Sequence, residues 1–341
     1  MSRFKVGLTR DLLTAAGQPS FGTAPLEVLD AAADVLDWEY LPESVTEITP
    51  DQAARYDAIY VNSPRVTAAT VARPDRRVRL IARHGVGYDS VDVAAMTQAG
   101  VVVTNTPLAV RRPVATMALT FVLALAGKLL VKDRLTRAGH WSQRNEHMGM
   151  GLTGRTLGIV GAGGTGQETL RLARAFDLRL LAADPFADRA RIESLGAALV
   201  PLPTLLAEAD FVVLTCLLNA ETRHLISAQT LALMKPTAYL VNVARGPVVD
   251  EAALIHALRE RRIAGAALDV FEQEPVAVDN PLLAMDNMIV TPHALCWTDE
   301  CFLGIATQGL TSVVDVARSR RPAHPVNPTV LDTPGWAHAR G

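Results

Sequence analysis

Residues 156–184 read TLGIVGAGGTGQETLRLARAFDLRLLAAD. A continuously apolar run, TLGIV, leads into Gly161-x-Gly163-x-x-Gly166, and an amphipathic helical pattern follows over 166–176. In a strand–turn–helix unit each glycine has its own task. The first permits the tight turn, the second lets backbone approach a pyrophosphate, and the third lets helix and strand pack closely. The helix amino terminus adds unpaired N–H groups and the positive end of its dipole. Asp184, at the end of the next apolar run, lies 18 residues beyond Gly166. That is close to the roughly 20 expected for a carboxylate that binds adenosine ribose hydroxyls. An acidic group there repels a 2′-phosphate and favours NAD over NADP.

The same alternation extends in both directions. Downstream, 211–215, 238–243, 265–270 and 288–291 read as further buried strands, with helical patterns over 228–234, 250–261 and 298–319. With 156–161 and 178–184 they make six strands, enough for a doubly wound dinucleotide-binding sheet. Upstream, 4–9, 57–62, 79–84 and 101–105 are β-branched apolar runs, with helical patterns over 26–35 and 91–100. This is a second set of βαβ units and so a second parallel sheet. Between the sets, 114–137 lacks proline and is apolar on nearly all sides as far as Leu130. It is expected to form one long, heavily buried helix that bridges domains or packs on a second subunit.

Composition narrows the function. The chain has 341 residues, room for about two domains. Its 33 basic and 35 acidic residues leave a net charge of −2, which gives no reason to expect nucleic acid or an anionic membrane as partner. The longest apolar stretch, 117–131, is broken by Lys128 and falls short of the roughly 20 residues that span a bilayer. Three cysteines without a C-x-x-C pair make no disulfide framework or zinc knuckle. No H-E-x-x-H or similar histidine cluster occurs, and no metal is expected. The amino terminus lacks the apolar core of a secretory signal, so a reduced cytoplasmic setting is expected.

Three polar residues follow successive strands of the second set: Arg245, Glu274 and His293. In an open α/β sheet the carboxyl ends of the strands are where ligands bind. A guanidinium grips a carboxylate with its planar fork. A histidine shuttles protons near neutral pH, and a neighbouring carboxylate fixes its tautomer.

The segments HGVGYDSVD (84–92), VVVTNTP (101–107), the glycine turn, NVARGPVVDEAAL (242–254), GAALDVFEQEP (265–275) and DNMIVTPH (286–293) resemble the D-isomer-specific 2-hydroxyacid dehydrogenase family. The likeness covers roughly residues 50 to 330, and the spacings of 29 and 19 residues between Arg245, Glu274 and His293 fit that family's triad. The resemblance implies a flavodoxin-like substrate domain, residues 1–107 plus 298–341, and a Rossmann NAD-binding domain, 108–297, with a cleft between them. It implies that His293 is the acid/base, that Glu274 supports it and that Arg245 binds the substrate carboxylate. Backbone N–H groups around Val86 and Gly87 are further substrate ligands on this view. Gly161, Gly163, Gly164, Thr165, Gly166, Asp184, Val243 and Asp269 are the cofactor ligands, with Asp269 on the nicotinamide carboxamide. The activity implied is interconversion of a D-2-hydroxy acid and its 2-keto acid. The apolar helix over 114–130 exceeds what one small domain need bury, so a homodimer is expected. A glyoxylate/hydroxypyruvate reductase, a phosphoglycerate dehydrogenase and a dinucleotide-sensing binding protein are the alternatives.

The chain departs from the family pattern at Thr116, Thr165 and 294–297, positions that the resemblance puts around the nicotinamide and substrate ends. Arg111, Arg112 and His84 are candidates to meet a second anionic group on the substrate.

Overall fold

In the computed structural model, which describes residues 3–333 and Trp336, the chain forms two compact units. One comprises Met1–Val110 and Trp297–Gly341, the other Arg111–Cys296.

The first unit is built on a five-stranded parallel sheet of β1 (Phe4–Leu8), β2 (Leu36–Tyr40), β3 (Ala58–Val61), β4 (Leu80–Arg83) and β5 (Val102–Thr104). The spatial order is β2-β1-β3-β4-β5, the flavodoxin-like order. Its central strand β3 is buried along its whole length and its neighbours β1 and β4 along most of theirs, which is why they read as apolar runs. β2 was not legible in that way, because at the sheet edge only Leu36 of LDWEY is buried. The carboxy-terminal segment returns to this unit. Helix Asp299–Ala317 packs against β3 and β4 through residues such as Ile305, Ala306 and Leu310. The following segment covers the β5 edge, with Val326 N–H donating to Val103 O at 2.7 Å and Asn327 Oδ1 accepting from Val103 N–H at 2.8 Å. An otherwise open strand edge is thereby closed.

The second unit carries a seven-stranded parallel sheet. Its strands are β6 (Thr156–Val160), β7 (Arg179–Ala183), β8 (Ala197–Leu199), β9 (Phe211–Leu214), β10 (Tyr239–Asn242), β11 (Gly265–Leu268) and β12 (Met288–Val290). The order β12-β11-β10-β9-β6-β7-β8 reverses between β6 and β9, the switch point of a Rossmann sheet. The sequence reading found six of these strands. The seventh, β8, is a three-residue edge strand with only Ala197 buried. Apolar clusters cover both faces of the sheet, and the glycine turn follows β6, beside the central strand β9.

The single long helix expected over 114–137 is instead two, Arg111–Ala126 and Leu129–Arg137, bent by 58°. At the break Ala126 O accepts from Met150 N–H at 2.8 Å, and Lys128 turns into the left-handed region at φ 50°. Burial also differs from the expectation. The first helix buries half its residues, whereas the second buries none, and Leu129 stays 59% exposed. Because a left-handed Lys is strained and a glycine is not, Lys128→Gly is expected to stabilise the protein by about 0.5 kcal/mol. Thermal unfolding checks this, and a lowered midpoint would mean that the Lys128 side chain contributes more than its backbone costs.

Candidate active site

The carboxyl edge of the second sheet gathers the glycine turn, Asp184, Asp269, Arg245, Glu274 and His293. At the glycine turn, Gly161 adopts φ 93° and a Cβ there would lie 2.5 Å from Cys216 N and Cα. A Cβ on Gly166 would lie 2.2 Å from Gly161 O. Only glycine fits at either place. Thr215 Oγ1 donates to Gly161 O at 2.6 Å and braces the turn from β9. Gly163 caps helix Gly164–Ala173 without a side-chain hydrogen bond and has open space around its missing Cβ. The uncapped first-turn N–H groups and the room beside Gly163 fit a dinucleotide pyrophosphate. Thr165 sits in that first turn, where its carbonyl accepts from Thr169 Oγ1. Asp184 stands after β7, and its two oxygens accept from Ala162 N–H and Phe186 N–H, each at 2.8 Å. The carboxylate therefore ties the end of β7 to the glycine turn and retains lone pairs for hydroxyl donors.

Arg245 follows β10 in a turn fixed from two sides. Buried Asn242 donates through Nδ2 to Arg245 O at 2.9 Å and accepts through Oδ1 from Ala244 N–H at 3.0 Å. A Cβ on Gly246 would lie 1.8 Å from Phe271 O, so this turn lies backbone to backbone on the segment leading to Glu274. Arg245 itself is half-buried, with Nη1 donating to Ala244 O at 2.7 Å. Val243, beside it, packs partly buried against the core face.

Glu274 and His293 form a pair. His293 Nδ1 lies 2.8 Å from Glu274 Oε2, and Phe271 N–H donates to Glu274 Oε1 at 3.0 Å. Burial pushes the Glu274 carboxyl up. The hydrogen bonds from His293 and Phe271 and the charges of His293 and Arg245 outweigh it, leaving the group below its ordinary value. An ionised carboxylate only accepts, so Nδ1 carries a proton and Nε2 is the nitrogen left for chemistry. Both side chains keep access to solvent, 36% for Glu274 and 44% for His293.

Asp269 explains how His293 is aimed. It is buried at the end of β11, and its Oδ1 accepts from Thr291 Oγ1, Ala294 N–H and Leu295 N–H at 2.5, 3.0 and 3.1 Å. One oxygen thus clasps both sides of His293, whose backbone lies in the left-handed region at φ 53°. The sequence reading gave Asp269 a cofactor role and missed this one. It also missed Asn242, whose signal was a polar residue closing an otherwise apolar strand.

In the first unit, Val86 and Gly87 follow β4 in a turn held by Thr106 N–H on Gly85 O at 3.0 Å and Asn105 Nδ2 on Val86 O at 2.8 Å. His84 is buried among Phe21, Tyr60 and Phe302, with Nδ1 2.6 Å from Tyr60 Oη. Burial, then the charge of Arg83, pushes its pKa down to about 3, so the ring is neutral.

The clasp on Asp269 gives a direct expectation. Asp269→Ala leaves three donors unpaired and is expected to destabilise the protein by about 2–4 kcal/mol. Asp269→Asn, whose amide oxygen still accepts, is expected to recover most of that. Equal losses in denaturant unfolding would show that the negative charge, and not the acceptor, holds the loop.

The comparisons with known proteins agree with this geometry. Residues 119–294 match the family model for the NAD-binding domain of D-isomer-specific 2-hydroxyacid dehydrogenases. A glyoxylate reductase of Thermococcus onnurineus is 37% identical over 319 residues, 91% of this chain and 95% of that protein. One from Aeropyrum pernix is 35% identical over 97% of this chain and 98% of its own length. A D-3-phosphoglycerate dehydrogenase of Archaeoglobus fulgidus is 37% identical over 81% of this chain, but the match spans only 52% of that longer protein. Among solved structures, a glyoxylate reductase from Paecilomyes thermophila superposes with a TM-score of 0.84, at 29% identity over 96% of this chain and all of that one. With its glycine turn, its Glu–His pair and these relatives, the chain belongs to the D-isomer-specific 2-hydroxyacid dehydrogenase family, oxidoreductases with an NAD-binding domain.

Proposed function

We propose that the protein reduces a small 2-keto acid to its D-2-hydroxy acid, and runs the reverse, with NAD(H) as partner. Bound NADH supplies the hydride. His293 donates a proton to the carbonyl oxygen during reduction and takes one back during oxidation. Glu274 holds the imidazole through Nδ1 and stabilises its charged form. Arg245 binds the substrate carboxylate and polarises the carbonyl, and the turn carrying Val86 and Gly87 offers backbone N–H groups to the substrate. The observation that carries this reading is the 2.8 Å His293–Glu274 bond on a loop clasped by Asp269, which presents Nε2 with a defined tautomer.

On the cofactor side, the proposed ligands are Gly161, Gly163, Gly164, Thr165, Gly166, Asp184, Val243 and Asp269. Oδ1 of Asp269 serves the His293 loop, so Oδ2 is the oxygen proposed for the nicotinamide carboxamide. Asp184 supports a preference for NAD over NADP, since a 2′-phosphate beside its carboxylate is repelled. Among substrates, glyoxylate and hydroxypyruvate stand ahead of 3-phosphohydroxypyruvate. The glyoxylate reductases named above align over nearly their whole length, whereas the phosphoglycerate dehydrogenase is about twice as long as the matched region.

A panel of glyoxylate, pyruvate, hydroxypyruvate, phenylpyruvate, 2-ketoisocaproate and oxaloacetate, followed by NADH absorbance at 340 nm, tests the reading. At least one acid is expected to turn over, and His293→Ala is expected to lower kcat by about 10²–10⁴-fold with NADH affinity retained. Turnover that survives in His293→Ala would remove the proposed acid/base.

We further propose a cytoplasmic homodimer. Helix Leu129–Arg137 buries no residue within its own chain, and Leu123, Leu129, Leu130 and Trp141 are exposed around it. A nine-residue helix without tertiary support is marginal in water, and a second copy packed on it supplies that support. Cys216 is a free thiol, which suits a reducing compartment. Light scattering coupled to size exclusion is expected to give about twice the 36.5 kDa chain mass, and a monomer mass would rule the dimer out.

A further inference from the structure

Two arginines open helix Arg111–Ala126, and they are held in different ways. Arg112 Nη1 donates to Glu168 Oε1 at 3.1 Å, while Arg171 grips the same carboxylate through Nε at 2.8 Å and Nη2 at 2.7 Å. The hydrogen bonds from Arg171 and then Arg112 outweigh burial and hold the Glu168 carboxyl down to about 2. Arg112 is therefore committed to joining this helix to helix Gly164–Ala173.

Arg111 is committed to nothing of the kind. Among the described residues it has no ion-pair partner, and its side chain is exposed. It is nonetheless stationed in one particular place. A Cβ on Gly164 would lie 2.5 Å from Arg111 Nε and 3.0 Å from its Cδ and Cζ. The arginine thus fills the space that a side chain at position 164 would occupy. Gly164 is the first residue of a helix whose cap supplies no side chain, so the guanidinium stands against uncapped N–H groups and a positive dipole end. Two positive features brought together without a counter-charge repel each other, and an anion bound at the turn turns that repulsion into attraction for both.

We infer that Arg111 is a side-chain ligand for the pyrophosphate of the bound dinucleotide, delivered to the glycine turn from a helix outside it. The inference rests on the glycine turn being the dinucleotide site. The chemistry suits the residue, because a guanidinium fork matches phosphate oxygens where an ammonium acts only as a point charge. It also gives Gly164 a reason beyond backbone conformation, namely room for Arg111.

The test is equilibrium binding by the whole protein of NADH, read by nicotinamide fluorescence, and of ADP-ribose, read by calorimetry. ADP-ribose keeps the pyrophosphate and lacks the nicotinamide. Arg111→Ala is expected to weaken both by about 10- to 100-fold, the worth of a charge-assisted hydrogen-bonded contact. Arg111→Lys is expected to recover part of the loss. Gly164→Ala, which displaces the guanidinium while keeping its charge, is expected to weaken both ligands as well. Dissociation constants for Arg111→Ala within twofold of the wild type would overturn the inference alone. So would unchanged NADH binding accompanied by a KM rise confined to oxaloacetate over pyruvate, which would assign Arg111 to a second substrate carboxylate. A wild-type protein that binds neither NADH nor ADP-ribose would overturn the dinucleotide reading and this inference with it.

Discussion

One buried carboxylate oxygen governs the chemistry-bearing edge of the second sheet. Asp269 Oδ1 collects the Thr291 hydroxyl and the N–H groups of Ala294 and Leu295, and between those donors the chain is bent so that His293 lies in the left-handed region. The cost of that bend for a non-glycine residue, about 1–2 kcal/mol, is offset by three hydrogen bonds to a charged acceptor out of water. What the bend achieves is placement, since His293 then meets Glu274, which is itself held by Phe271 N–H. Gly246 keeps the neighbouring Arg245 turn against that same Phe271 segment, where any Cβ would collide. Arg245, Glu274 and His293 come from three separate loops; the first rests backbone to backbone on the second, and the third is held to it by the Asp269 carboxylate and the Glu274–His293 bond.

The sheet beneath makes this economical. Seven parallel strands end along one edge, and the order reverses between β6 and β9, so the loops on either side of the reversal diverge. The glycine turn after β6 lies at that reversal, and the loops after β10, β11 and β12 follow on the β9 side. The glycine turn and the Glu274–His293 pair thus share one edge. The edge gains its positive character from helix termini and arginines, and its negative character from Asp184, Glu274 and Asp269.

Much of this was legible in the sequence, for identifiable reasons. Parallel strands covered on both faces must be continuously apolar, so TLGIV, FVVL and YLVN declare themselves. The glycine turn does so because its sterics admit nothing else. Arg245, Glu274 and His293 were visible as polar residues placed after successive strands. The edge strands LDWEY and AAL were not, because one neighbour and a wet face leave no apolar run to read. The break at Lys128 was not legible either, since the contact made there, Met150 N–H on Ala126 O, comes from more than twenty residues along the chain. Asp269 was picked out, but its service to the His293 loop depends on register between β11 and the loop after β12, which no local pattern encodes. The pairing of Arg111 with Gly164 is of the same kind.

The central claim is that this chain is a D-specific 2-hydroxyacid dehydrogenase whose proton comes from His293. The most direct measurement is the chirality of its product. Hydroxypyruvate, or whichever keto acid with a side chain beyond hydrogen turns over fastest (glyoxylate gives achiral glycolate), is reduced with NADH and the hydroxy acid is resolved on a chiral column. The account predicts the D enantiomer alone, because the proposed roles of His293 and Arg245 leave one face of the carbonyl to the hydride and the family is D-isomer-specific. An L product, or a racemate, would contradict it.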